Sequence, residues 1–155
     1  MSVRANVETF RNIPIFSGCD PAHLQLLAFS AVGENFEPGS ILVQQGQTGT
    51  AAYLVLSGQA EISTDDKGPL GEVGPGSFLG QVAMIGASPY SVTVRALDLV
   101  STARIDRDLF LRVAQEFPEF GNAVLRTLAR KLGTAIDELG EVRQLLQRAR
   151  TFRSL

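Results

Sequence analysis

The chain has no tryptophan, one cysteine and one histidine in 155 residues. A lone Cys19 cannot close an intramolecular disulfide, so nothing in the composition calls for an oxidising compartment. One His and one Cys are also too few for a metal cluster built on those ligands, and Asp65-Asp66 sits among Lys67, Gly68 and Pro69, where turn chemistry accounts for it better than a calcium loop does. No metal is expected. Catalysis has equally little to stand on: His23 follows Cys19 by four residues at a predicted helix start, a spacing that seldom gives a nucleophile–base pair, and Gly71 to Gly80 lacks the lysine of a triphosphate loop. The chain reads as a non-enzyme. Long apolar runs are missing too, so no membrane span is expected, and the charged opening MSVRANVETFRN has no signal-peptide core. A formal net charge of −2 provides no global field for nucleic acid. A cytoplasmic protein is the default.

What is present changes character along the chain. Residues 1–12 form an N-terminal segment. From Ile13 an apolar anchor leads into a helix start, with Asp20 as N-cap, Pro21 at the first helical position, and Leu24, Leu27 and Ala28 at helical spacing. Between Glu34 and Ile105 the period falls to two. Pro38-Gly39, Gly46, Gly58 and the turn at 65–69 punctuate short alternating runs, which is the pattern of a β-sandwich or barrel. Asp106 can cap a further helix carrying Leu109, Phe110 and Val113, and Pro118 can begin the next. The domain so delimited runs over 13–117, followed by a long helix and basic tail over 118–155.

That last helix carries a seam. Leu125, Leu128, Leu132, Ala135, Leu139, Val142, Leu146 and Ala149 alternate steps of three and four, a heptad repeat that calls for a partner helix or for packing of its first half on the rest of the chain. Gly133 and Gly140 lie on its outer face as hinge points or tolerated surface positions, each costing roughly 1 kcal/mol relative to Ala. The tail VRQLLQRARTFRSL has four arginines and no acid, which suits a solvated helix C-terminus or docking to an acidic partner.

The stretch from Phe78 to Val94, FLGQVAMIGASPYSVTV, has the layout of an anion cradle: a glycine, one or two helical turns, a Gly/Ser/Pro turn, then alternation. It contains no Lys, Arg, Asp or Glu. With FEPGSILVQQGQTGTAAYLVLSGQAEIS before it and FPEFGNAVLRTLARKL after it, this stretch resembles the cyclic nucleotide-binding domain of Crp/Fnr regulators, protein kinase A regulatory subunits and gated channels, over roughly residues 13–140. The resemblance implies an α+β fold: a small double-stranded β-helix or jelly-roll-like β-barrel with an N-terminal helix and a long C-terminal helix. It implies a phosphate-binding cassette on Gly80, the amides of Gln81, Val82 and Ala83, and the side chains at Tyr90 and Ser91, taking cyclic AMP or cyclic GMP. It also implies a homodimer through Leu125, Leu128, Leu132, Leu139, Val142 and Leu146, signalling to a protein partner.

Two positions depart from the family. Its acidic residue after the glycine, which accepts the ribose hydroxyl, is Gln81 here, and the arginine after the proline, which pairs with the phosphate, is Tyr90. Gln81 keeps a carbonyl acceptor. Tyr90 brings no charge, and losing a hydrogen bond to a charged group costs roughly 1.5–3 kcal/mol, tenfold or more in affinity, which Ser88, Ser91 or Thr93 could partly restore. The polar pair that bacterial cyclic AMP receptors offer to the base falls near Ala135-Ile136, which are apolar. Crp/Fnr transcription factors carry a helix-turn-helix after the long helix, so with only 155 residues direct sequence-specific DNA binding is not expected. Two readings follow: a module that senses a cyclic nucleotide or related ligand, or a ligand-free dimerisation scaffold.

Overall fold

A computed structural model of the chain describes residues 3–132. They divide into a helical unit, built from residues up to Ser30 and from Asp108 onward, and a β unit, Ala31–Arg107.

The helical unit opens with α1, Val3–Arg11, in the segment where the sequence suggested no element. Its Phe10 is fully buried, edge-on to Phe16 at 5.7 Å, and that one aromatic anchor settles a helix whose other side chains are mostly polar. A single 3-10 turn over Pro14–Phe16 then buries Ile15 and Phe16. In α2, Pro21–Ser30, the expected start is seen: the Asp20 carboxylate accepts from the Ala22 N–H at 2.8 Å, and Leu24, Leu27 and Ala28 are buried. The helices α4, Arg107–Glu116, and α5, Pro118–Leu132, complete the unit. Phe16 stacks on Phe120, which also packs against Phe110 at 5.6 Å, so four phenylalanines hold the helices together. Each buried side chain of this size contributes about 1.5–3 kcal/mol relative to exposure.

Asp106 does not cap α4 through its side chain. It ends a strand, and its carboxylate takes Arg104 at 2.7 Å. The ion pair with a residue two positions away, a charge-assisted bond to a full opposite charge, engages the carboxylate that a cap would have used.

The β unit contains ten strands: β1 Val32–Phe36, β2 Ile41–Val43, β3 Thr48–Gly49, β4 Ala51–Ser57, β5 Ala60–Thr64, β6 Gly68–Val73, β7 Phe78–Leu79, β8 Ser88–Pro89, β9 Thr93–Ala96 and β10 Val100–Asp106. Between β7 and β8 lies the short helix α3, Gln81–Ile85. All pairings are antiparallel, in two four-stranded sheets, β1-β10-β4-β7 and β2-β9-β5-β6, with β3 and β8 as a separate pair. This is the jelly-roll arrangement of an α+β chain, with the N-terminal and C-terminal helices in place. The alternation read from the sequence becomes a core of Leu42, Val43, Val55, Ala60, Leu79, Val94, Ala96 and Val100. Pro69 falls on β6, an edge strand, the place in a sheet where proline is tolerated.

Candidate functional site

The cradle begins where Gly80 turns left-handed, at φ 75°, and thereby ends β7 and opens α3. A side chain is strained at that φ, and one on Gly80 would also lie 2.8 Å from the Tyr90 ring. The helix is anchored by Ala83, Met84 and Ile85, all buried, and Gly86 stops it, so Gln81 and Val82 are left half-buried at its first turn. Three backbone donors were expected there. The Ala83 N–H is already given to the Gly80 carbonyl at 3.0 Å, because the first turn closes tightly over the glycine. Only Gln81 and Val82 keep amides without a partner among the described residues.

Tyr90 fills the space beside them. Its hydroxyl donates to the Ala51 carbonyl at 2.8 Å, and its ring lies where a Cβ on Gly49 would approach within 2.5 Å and one on Gly80 within 2.8 Å. Two glycines therefore form the slot that holds the ring. Burial raises the Tyr90 phenol above its ordinary pKa, while the backbone at Ala51 and Thr50 and the nearby Arg104 and Arg107 charges hold it back. Ser91, the other side chain assigned to the cradle, is exposed. The Thr93 hydroxyl accepts from the Gln45 N–H at 3.0 Å and from the Gln44 amide, so it is committed to the barrel.

The cation that the sequence stretch lacks is supplied from elsewhere, but it faces carbonyls. Arg107 donates from Nε to the Ala83 carbonyl at 3.1 Å and from Nη2 to the Gly49 carbonyl, clamping the cassette helix to β3. Nothing in the sequence marked it, since its partners lie 24 and 58 residues away. The unit's other arginines are also engaged. Arg95 donates to the Gly39 carbonyl at 3.0 Å, and Arg104 bridges Asp106 and Glu34, the latter at 3.6 Å. Beside that network Tyr53 is pushed up to about 12, by burial first and then by the Glu34 charge.

In the helical unit, Cys19 and His23 do not form a dyad. Burial pushes the Cys19 thiol up to about 11, which leaves little thiolate, and the His23 ring rests on Phe117 with centroids 4.4 Å apart. Of the seam, Leu125 and Leu128 are already buried within the single chain, and Leu132 ends α5. Leu139, Val142 and Leu146, with Gly133, Gly140, Ala135-Ile136 and the basic tail, lie outside the described residues. Among the described residues, no helix is long and apolar enough to cross a membrane, and no group of three or more His, Cys, Asp or Glu could hold a metal ion.

The architecture agrees with that of the chain's relatives. The family described as "Cyclic nucleotide-binding domain" matches residues 33–117. A cAMP-dependent protein kinase regulatory subunit of Schizosaccharomyces pombe is 30% identical over 112 residues, 72% of this chain and 26% of that protein. A CRP-like cAMP-activated global transcriptional regulator of Mycobacterium tuberculosis is 25% identical over 154 residues, 89% of this chain and 68% of that protein. The crystal structure of the N-terminal domain of a transcriptional regulator from Streptomyces coelicolor A3(2) superposes with a TM-score of 0.74 at 25% identity, covering 83% of this chain and 92% of that one. The chain spans about a quarter of the length of the kinase regulatory subunits it matches.

Proposed function

The chain belongs to the cyclic nucleotide-binding domain family, and from that premise we propose that it is a cytoplasmic, non-enzymatic regulatory module whose phosphate seat is closed by its own Tyr90. Such a module acts as a homodimer through the seam from Leu132 onward and passes its state to a protein partner. The observation that carries this reading is the Tyr90 ring held between Gly49 and Gly80 by its bond to the Ala51 carbonyl. A phosphate entering there has to displace the ring, break that bond and then find no free guanidinium. Its relatives named above are a kinase regulatory subunit and transcriptional regulators, which is the context for a regulatory role.

A second reading is supported by the unpaired amides of Gln81 and Val82: a sensor that takes cyclic AMP or cyclic GMP on Gly80 to Ala83, Gln81 and Ser91 once Tyr90 swings away. Calorimetric titration of the wild-type protein with both nucleotides separates the two. Silence up to millimolar is the expected result, and saturable micromolar binding refutes the closed seat. Gln81→Glu with Tyr90→Arg should create binding, because it restores the acceptor and the cation while vacating the slot; a folded double variant that stays silent argues against a usable backbone cradle.

A further inference from the structure

A cleft of about 340 Å³ opens in the β unit next to the closed cassette, and Gly80 to Ala83 do not line it. It is lined by Ile41, Leu42 and Val43 of β2, by polar residues between Gln44 and Thr50, and by both tyrosines of the chain, Tyr53 and Tyr90. No lining residue is charged. The nearby charges are already engaged: Arg104 is paired with Asp106 and Glu34 beside Tyr53, and Arg107 gives its guanidinium to the Gly49 and Ala83 carbonyls.

Of the polar side chains lining this cleft, Gln44 and Tyr90 are bonded to Thr93 and to the Ala51 carbonyl, and the other four are unengaged. Gln47, Thr48 and Thr50 are exposed, and their side chains make no hydrogen bond to another described residue; nor does the Tyr53 hydroxyl. An amide, two aliphatic hydroxyls and a phenol each both donate and accept. A charged ligand would give up hydration here and meet only charges already engaged with the protein, which is costly. An uncharged ligand rich in hydroxyls meets these donors and acceptors together with the apolar side chains of β2. The volume lies at the small end of the range for small-molecule pockets, about 300–1,000 Å³, enough for a single ring compound.

We infer that this cleft binds a small uncharged polyhydroxylated ring compound of the monosaccharide class, held by Gln47, Thr48, Thr50 and Tyr53. The inference goes beyond the closed cassette, because it concerns a different lining and a ligand without phosphate. Tyr90 contributes to both walls, so occupancy of the cleft is felt at the residue that closes the cassette.

The chain carries its own reporter. With two tyrosines and no tryptophan, its intrinsic fluorescence comes entirely from Tyr53 and Tyr90, and both line the cleft. The full chain is titrated with glucose, galactose, mannose and ribose, and with glucose 6-phosphate as the charged counterpart. A saturable change with at least one neutral sugar is expected, with the phosphorylated sugar binding more weakly than glucose. Gln47→Ala with Thr50→Val alters two exposed, unbonded side chains, leaves the fold intact by circular dichroism, and is expected to weaken binding about tenfold. Silence toward all four sugars at tens of millimolar overturns the inference. So does a response that is unchanged in the folded double variant, or a phosphorylated sugar that binds at least as tightly as the neutral one.

Discussion

Substituting Gly49 by alanine tests the slot around Tyr90 directly. Gly49 is buried and its φ is not positive, so its backbone accepts an alanine and any penalty is steric. The new Cβ would meet Tyr90 Cζ at 2.5 Å, Ala83 Cβ at 2.6 Å and Tyr90 Cε1 at 2.7 Å. Overpacking of this kind costs about 1–3 kcal/mol. The Tyr90 ring cannot retreat freely, since its hydroxyl is bonded to Ala51 and that bond is worth about 0.5–1.5 kcal/mol. The expected loss is therefore in the upper part of the range, about 2–3 kcal/mol. For a domain of this size about 2–4 °C accompany each kcal/mol, so Tm falls by about 4–12 °C. Urea unfolding followed by circular dichroism gives the same quantity as a lower midpoint at unchanged slope. Combining Gly49→Ala with Tyr90→Ala removes two of the three close contacts and leaves the one to Ala83, so the pair should be non-additive by about 1–2 kcal/mol. Gly39→Ala is the control: at φ 87° with nothing within 4 Å, it pays about 1–2 kcal/mol of left-handed strain and shows no coupling to Tyr90. A Gly49→Ala protein within about 0.5 kcal/mol of wild type, or an additive double variant, refutes the assignment of Tyr90 to this slot.

Two further outcomes follow from the same geometry. Arg107→Ala removes the clamp between the Ala83 and Gly49 carbonyls and should cost about 2–3 kcal/mol in chemical unfolding, with Arg107→Lys recovering less than half, because an ammonium cannot span two carbonyls as a fork does; a wild-type-like lysine variant counts against the clamp. Both phenols have folded pKa values raised by burial, Tyr53 to about 12, so the stability they carry is fully present below about 10 and is lost as pH rises toward about 12. Tyrosinate absorbance of the folded protein should lag that of the urea-unfolded chain over this window, and superimposable titrations would refute the burial of both rings.

How much of this was legible in the sequence varies with the range of the interaction involved. Local devices were: Asp20 with Pro21 starting α2, Pro118 starting α5, the turn glycines, and the period of two that became the core of Val55, Val94 and Val100. Each acts within a few residues, so spacing alone carries it. Not legible were the local backbone states that decide between rival short-range partners, and the contacts that span the chain. Asp106 had the credentials of a helix cap, yet as the end of strand β10 it has Arg104, two residues back on that strand, within its reach. Ala83 was counted as a phosphate donor, yet the tight first turn of α3 commits its amide to Gly80. The sequence stretch of the cradle held no cation, and Arg107 reached it only because β10 brings the start of α4 beside Gly49 and Ala83.

The residues alone thus determined the family, the jelly-roll and the two departures at Gln81 and Tyr90, because periodicity, turn chemistry and motif order are written in one dimension. Only the tertiary structure decided what Tyr90 does. The sequence replaces a charge with a phenol there, but whether a phenol points to solvent, to a ligand or into the protein depends on the shape around it. Gly49 and Gly80, more than thirty residues apart in sequence order, meet across antiparallel strands to make a slot of ring width, and the Ala51 carbonyl supplies the acceptor that holds the hydroxyl there.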